Sequence, residues 1–251
     1  DGSLLNKDTF RFDEIEDYFR ELISIGIKII PNSSKTESEL LDFNKEYNLN
    51  LSFIAENGSS INGLNLIHKN LPQTILMSRT VDIIYEIFNK YIPYDLKQKI
   101  ILISKLDNNE QENIFGLPLH KIKLAMDRKH SIPIQFKGSE VEKNEFIKRI
   151  NNAGLTVQTG GRIMNICDKV NKSKAIAKTL ELISNEIQNE IITIGVGDNQ
   201  NDLDMLKETD YSCLVKNDNF DSSLINIDNL IISSEPSPLG WADVIKTAIQ
   251  K

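Results

Sequence analysis

The sequence predicts an α/β protein: a parallel sheet with helices on both faces, interrupted by a smaller inserted α+β unit. Two observations predict it. Apolar, β-branched runs alternate with helical spacing at both ends of the chain, and the pattern changes character through the middle third. In chain order, residues 12–24 carry Phe12, Ile15, Tyr18, Phe19 and Leu22 at helical spacing. The run Ile25–Ile30 follows as an expected strand, then a helix start in Lys35–Asn44 and a second strand in Leu51–Ala55. Near the other end a helix over 172–189 precedes the strand Ile191–Val196. A helix over 201–209 and a strand over 211–215 come next. Between these halves lie a helix near 80–91, the polar stretch Asp107–Glu112 and the segment Lys121–Met126. The extended runs Ile132–Phe136 and Leu155–Thr159 flank a helix over 139–152. The expected division is therefore 1–77 with 168–251 as one domain, and 78–167 as the insert.

Composition narrows the classes of function. The chain has 251 residues, 40% hydrophobic and 26% charged, with 29 basic and 36 acidic side chains for a net charge of −7. That balance argues against a sequence-blind nucleic-acid binder but leaves room for a small anionic substrate beside a local cation. Cys167 and Cys213 are the two cysteines, too few and too far apart for a disulfide framework or a zinc site. No apolar run reaches the roughly 20 residues a membrane span needs, and no basic-then-apolar leader opens the chain. A cytoplasmic protein, monomeric or homodimeric, is the expectation. His68, His120 and His130 show no ligand spacing and are expected at the surface.

In open parallel sheets, sites form beyond the carboxyl ends of the strands, so residues just after each apolar run carry the information. Four clusters stand there. Asp1-Gly2-Ser3 sets a carboxylate before a turn glycine. Ser33-Ser34-Lys35-Thr36 follows Ile29-Ile30 and offers hydroxyls and main-chain N–H groups to an anion. Lys172 opens a helix. Gly197-Asp198-Asn199-Gln200-Asn201-Asp202 places two carboxylates four residues apart on a glycine-led turn. That pair suits a hard cation with oxygen ligands, Mg²⁺ above all. Read singly, the serines are helix caps, Lys172 is a surface cation, and the two aspartates complement a helix N-terminus.

Taken in order, the four clusters resemble the motifs of the haloacid dehalogenase phosphohydrolase superfamily. The resemblance implies a Rossmann-like parallel-sheet core with an inserted α/β cap. The cap's position is that of the sugar-phosphatase subclass. Further segments are similar to those of the mannosyl-3-phosphoglycerate phosphatase family. They are Ser33–Thr36, Glu56-Asn57-Gly58, Gly116-Leu117-Pro118, the stretch from Ala125 to Pro133 with Arg128 and Ser131, Gly160-Gly161-Arg162, and Pro238–Trp241. Two positions depart from that family: Ile132 stands where it usually has Glu, and Ile163-Met164-Asn165 where it has an aromatic-His pair.

The resemblance implies an Mg²⁺-dependent phosphatase acting through an aspartyl-phosphate on mannosyl-3-phosphoglycerate or its glucosyl analogue, to give a compatible solute. Asp1 aligns with the family's acid/base, so the nucleophile and its strand are expected upstream of Asp1. Asp1, Lys172 and Ser33 are the expected catalytic residues, and Asp1, Asp198 and Asp202 the metal ligands. Ser34, Lys35, Thr36, Arg128, Gly161, Arg162 and Asn201 are the expected substrate contacts. Arg suits a carboxylate because its planar fork can bond both oxygens. A sucrose-phosphate type phosphatase, a phosphomutase and a catalytically inert binding module stay open as alternatives.

Overall fold

The computed structural model describes residues 2–159, 163–220 and 225–251. Contacts divide the chain into two compact units. One holds the residues up to Ile30, Ile67–Leu71 and Lys172–Lys251, and the other holds Pro31–Leu66 and Pro72–Asn171.

The first unit carries a parallel sheet in the order Ile231–Ile232, Tyr211–Leu214, Ile194–Gly197. Parallel strands need a crossover, and the short helix Leu203–Leu206 lies in the connection between the last two of these in space. Helices Glu16–Ser24, Lys172–Glu186 and Leu239–Ile249 complete the unit. The expected spacing of the first helix decides its packing: Phe12, Ile15, Phe19 and Leu22 are buried. The Phe19 ring sits 5.0 Å from Phe12 and 5.6 Å from Trp241, so the aromatic cluster ties the first helix to the last.

The expected strand over Ile25–Ile30 is corrected. Ile25 is 67% exposed, and residues 27–30 pair with no strand among the described residues. A β-branched run becomes a strand only where a neighbour takes its N–H and C=O groups. Pairing begins one step later, in the second unit, as a parallel bridge between Asn32 and Ile54. There Ile54 N–H donates to the Pro31 carbonyl at 2.8 Å and Ser33 N–H to the Ile54 carbonyl at 3.0 Å.

The second unit holds two antiparallel sheets. Phe53–Ala55, Ser60–Asn62 and Thr74–Leu76 form a meander beside helix Glu37–Glu46. That helix starts at Thr36 because Thr36 and Glu39 cap each other's main-chain N–H groups, at 3.1 and 2.8 Å. The larger sheet runs Ile100–Leu102, Ser131–Phe136, Met164–Cys167, Thr156–Thr159. Its alternation is chemical. Ile132, Ile134 and Ile166 face Ile84, Phe88, Phe146 and Ile150 in one core with helices Val81–Tyr91 and Glu140–Asn152. Ser131, Pro133, Asn165 and Gln158 alternate with them and take the opposite face. The polar stretch Asp107–Glu112 opens a helix, Asn108–Phe115, through a second reciprocal cap between Asp107 and Glu110. Met164–Cys167, unrecognised in the sequence, is a strand buried on both faces. Among the described residues no helix is long and apolar enough to cross a membrane.

One ion pair fastens distant parts of this unit. Asp168 accepts from Arg79 N–H at 2.6 Å and from Nε at 2.8 Å, and pairs with Nη2. Burial works to raise the Asp168 pKa, and the Arg79 hydrogen bonds outweigh it, so the carboxyl sits below its ordinary value. A carboxylate depressed in the folded state contributes stability above its unfolded pKa and loses it as pH falls. Asp168→Asn should therefore cost about 1–2 kcal/mol at neutral pH, the low end because Arg79 is 40% exposed. Melting curves should show the gap to wild type closing below about pH 4; a gap that persists there would assign the loss to packing.

Candidate functional site

Each unit carries one cluster of site residues. In the first, strand Ile194–Gly197 delivers Asp198 at its carboxyl end. Ser3 Oγ donates to Asp198 Oδ1 at 2.7 Å, and Asn217 Nδ2 donates to Oδ2 at 3.2 Å and to the Asp198 carbonyl at 3.1 Å. Asp202, only 3% exposed, closes the turn: its Oδ2 accepts from Asp198 N–H at 3.2 Å and its Oδ1 from Lys172 Nζ at 2.8 Å. Two glycines make room. Gly197 lies where any Cβ would strike the Asp202 side chain, and Gly2, at φ +81°, where one would strike the Asp198 carboxylate. Local sequence thus explains why this turn reads Gly-Asp and why Gly2 precedes Ser3. Asn201 is exposed on the helical turn Gln200–Asp202.

The electrostatics of this cluster are lopsided. Burial raises the Asp198 pKa above its ordinary value and the Asp202 charge adds to it, against the pull of the Ser3 hydroxyl and Lys172. Among the described residues, two oxygen-donor carboxylates meet here, and the Lys172 cation is bonded to the far oxygen of Asp202. Among the described residues no group of three or more His, Cys, Asp or Glu side chains gathers around a metal-sized space. The donor chemistry nevertheless fits a hard divalent cation. Carboxylate oxygens are its preferred ligands, and an added positive charge would offset the loss of solvent and the Asp202 charge that together raise Asp198. Asp1, the third expected ligand, lies outside the described residues.

The second cluster lies around residues 33–36 and 128–131. Ser33 Oγ accepts from Lys35 N–H at 3.2 Å, a serine turn that opens the loop before the helix. Ser34 is exposed, and its carbonyl accepts from Arg128 Nη1 at 3.4 Å. Lys35 pairs with Glu39 at 3.6 Å. Thr36 is fully buried, its hydroxyl donating to the Leu124 carbonyl at 2.8 Å and capping the following helix, so a ligand would have to displace a bond already made. The Arg128 side chain is 8% exposed; its Nη1 donates to Ser131 Oγ at 3.2 Å, and its buried Nε has no hydrogen-bond partner among the described residues. Gly161 and Arg162 lie outside the described residues.

Ser3 and Asn217 hold Asp198, and Glu56, 4% exposed, sits beneath the Arg128 loop. Ser3 belongs to the first cluster and Glu56 to the Glu56-Asn57-Gly58 segment, whereas nothing local in the sequence marks Asn217. His130 corrects an expectation: it is 5% exposed, with Nδ1 2.9 Å from the Arg79 carbonyl.

A glucosyl-3-phosphoglycerate/mannosyl-3-phosphoglycerate phosphatase of Methanococcoides burtonii is 28% identical over 100% of this chain and 95% of its own. A protein of the same name from Persephonella marina is 24% identical over 98% of this chain and 93% of its own. The crystal structure of a haloacid dehalogenase-like hydrolase from Bacteroides thetaiotaomicron superposes with a TM-score of 0.69, at 15% identity, over 99% of this chain and 96% of that one. It shares the fold, an α/β core with a cap. The profile of the haloacid dehalogenase-like hydrolases matches residues 1–236, and the chain belongs to that family of enzymes.

Proposed function

We propose that this enzyme hydrolyses the phosphomonoester of glucosyl- or mannosyl-3-phosphoglycerate, releasing phosphate and the glycosylglycerate, a compatible solute. The observation that carries the reading is the near-complete match, 100% of this chain, to a relative named for those two substrates. The cluster of half-buried Lys172 and Asp198 around buried Asp202 supports it, because phosphoryl transfer is catalysed mainly by positioning and charge. Asp198 and Asp202, with Asp1, would hold Mg²⁺. Bound there, it would supply positive charge against the transferring phosphoryl group. Lys172 holds Asp202 in place and adds a positive charge against repulsion between two anions. A carboxylate attacks phosphorus to form an aspartyl-phosphate as the P–O bond to the glycerate breaks; Asp1 protonates that leaving oxygen, then takes the proton from the water that hydrolyses the aspartyl-phosphate to inorganic phosphate and frees the carboxylate. Ser33 and the following N–H groups bind phosphoryl oxygens. Arg128 and Arg162 take the glycerate carboxylate, and Ser34, Lys35, Thr36, Gly161 and Asn201 line the rest. Residues 1–77 with 168–251 form the catalytic core in this reading, and 78–167 the cap that selects substrate. A cytoplasmic location suits a phosphorylated, membrane-impermeant substrate.

Phosphate release from both glycosyl-3-phosphoglycerates and from p-nitrophenyl phosphate tests it. The glycerates should be preferred by about tenfold or more in kcat/KM, because p-nitrophenyl phosphate has no carboxylate to bind. EDTA should abolish activity and Mg²⁺ restore it. Turnover of p-nitrophenyl phosphate alone would overturn the glycerate assignment, and full activity in EDTA would overturn the cation. A phosphomutase would return the phosphoryl group to a sugar and release none.

A further inference from the structure

The Glu56-Asn57-Gly58 motif has no part in the chemistry above, yet its local structure is costly. Strand Phe53–Ala55 ends in three successive left-handed residues, Glu56 at φ +44°, Asn57 at +57° and Gly58 at +99°. Two of them carry side chains, for which this conformation is uncommon and strained. The turn is held by Glu56 N–H to the Lys35 carbonyl at 2.8 Å and Asn57 N–H to the Ser33 carbonyl at 2.9 Å. Its effect is to aim a buried carboxylate at residues 128–131. Glu56 accepts from Lys129 N–H at 2.8 Å, from His130 N–H at 3.3 Å and from the Ser131 hydroxyl. Ser131 Oγ in turn accepts from Arg128 Nη1 at 3.2 Å, and Arg128 lies 4.0 Å from the carboxylate itself.

The consequence is specific to Arg128. A guanidinium this buried needs a counter-charge, and Glu56 supplies one. The Glu56 oxygens are already engaged by the main chain and Ser131, so they do not occupy the arginine's fork. Nε is left buried, without a partner among the described residues. A buried donor in that condition calls for an acceptor supplied from elsewhere.

We propose that Glu56 is a positioning residue: through Ser131 and the 129–130 amides it fixes Arg128 so that the guanidinium's open donors meet a carboxylate of the substrate. This rests on the reading of Arg128 as a substrate contact. Glu56→Gln keeps the shape and one acceptor oxygen but removes the charge. In Glu56→Gln the ratio of kcat/KM for glucosyl-3-phosphoglycerate to that for p-nitrophenyl phosphate should fall roughly tenfold or more, chiefly through KM. In an Arg128→Met background the same change should leave the ratio where Arg128→Met alone puts it. Equal losses on both substrates, or losses that add across the two variants, would overturn the proposal.

A second measurement needs no substrate. In ¹⁵N spectra the Arg128 Nε–H signal, assigned by its disappearance in Arg128→Met, should be sharp and slow to exchange in wild type and broadened or lost in Glu56→Gln. An unchanged Arg128 signal in folded Glu56→Gln overturns the positioning role. Failure of wild type to hydrolyse either glycerate would overturn the substrate reading instead and leave that spectral result standing.

Discussion

Asp198→Asn should remove essentially all phosphatase activity, by at least about 10³-fold, and yet make the metal-free protein more stable. The two effects share one cause. Asp198 is half-buried beside Asp202, and its loss of solvent is the larger reason its pKa is raised. A carboxylate raised in the folded state contributes stability only below its unfolded pKa, and that contribution is lost as pH rises through the folded value. At neutral pH, well above the ordinary aspartate range, that contribution is reduced or gone. Asparagine keeps an acceptor for Ser3 Oγ, gives up the 3.2 Å bond from Asn217, and removes the charge. Melting temperatures of metal-free wild type should drop below those of Asp198→Asn as pH rises from about 4, where ordinary aspartates titrate. Adding Mg²⁺ should raise the wild-type melting temperature by binding the folded state, with little response in the variant. Asp198→Asn that is less stable than wild type at every pH would make this aspartate a structural acceptor. An active variant would move the cation elsewhere.

The sequence makes the Asp198 turn legible because its constraints are local. Gly197, Asp198 and Asp202 fall within six residues, and Gly197 is required by the approach of Asp202. Helix Glu37–Glu46 is marked in the same way by the Thr36–Glu39 reciprocal cap. Asn217 is invisible for the opposite reason. It reaches Asp198 from the loop after strand Tyr211–Leu214, and only the pairing of that strand with Ile194–Gly197 brings it there. Glu56 depends likewise on a turn meeting a loop 73 residues away. Periodicity also misleads in a definable way. Ile25–Ile30 has the residues of a strand without a partner among the described residues, whereas Met164–Cys167 lacks an alternating pattern because both of its faces are buried. Propensity describes a residue's preference; pairing decides whether the preference is met.

Lys172→Met should reduce kcat/KM by about 10²- to 10³-fold on every phosphomonoester, and unlike the change at Asp198 it should also destabilise the fold. Lys172 is the first residue of helix Lys172–Glu186, where a cation opposes the helix dipole and is disfavoured by about 0.3–1 kcal/mol. A charge kept in an unfavourable place points to a partner that outweighs the cost. That partner is Asp202, 2.8 Å away, with side-chain exposures of 17% for the lysine and 5% for the aspartate. Removing one member of a buried pair leaves the other without its counter-charge, at about 3–5 kcal/mol when burial is complete. The partial exposure of Lys172 lowers the expectation to about 1–3 kcal/mol, even after the helix terminus recovers its small gain. Methionine retains the unbranched stem, so lost packing contributes little. Lys172→Arg separates charge from chemistry: it should recover most of the stability, because Asp202 regains a cation, but little of the rate if a compact ammonium is needed at the phosphoryl group. Thermal melts and phosphate-release kinetics on the three proteins decide the matter. Full activity in Lys172→Met, at whatever stability, would reduce Lys172 to a structural counter-ion of Asp202 and take it out of catalysis.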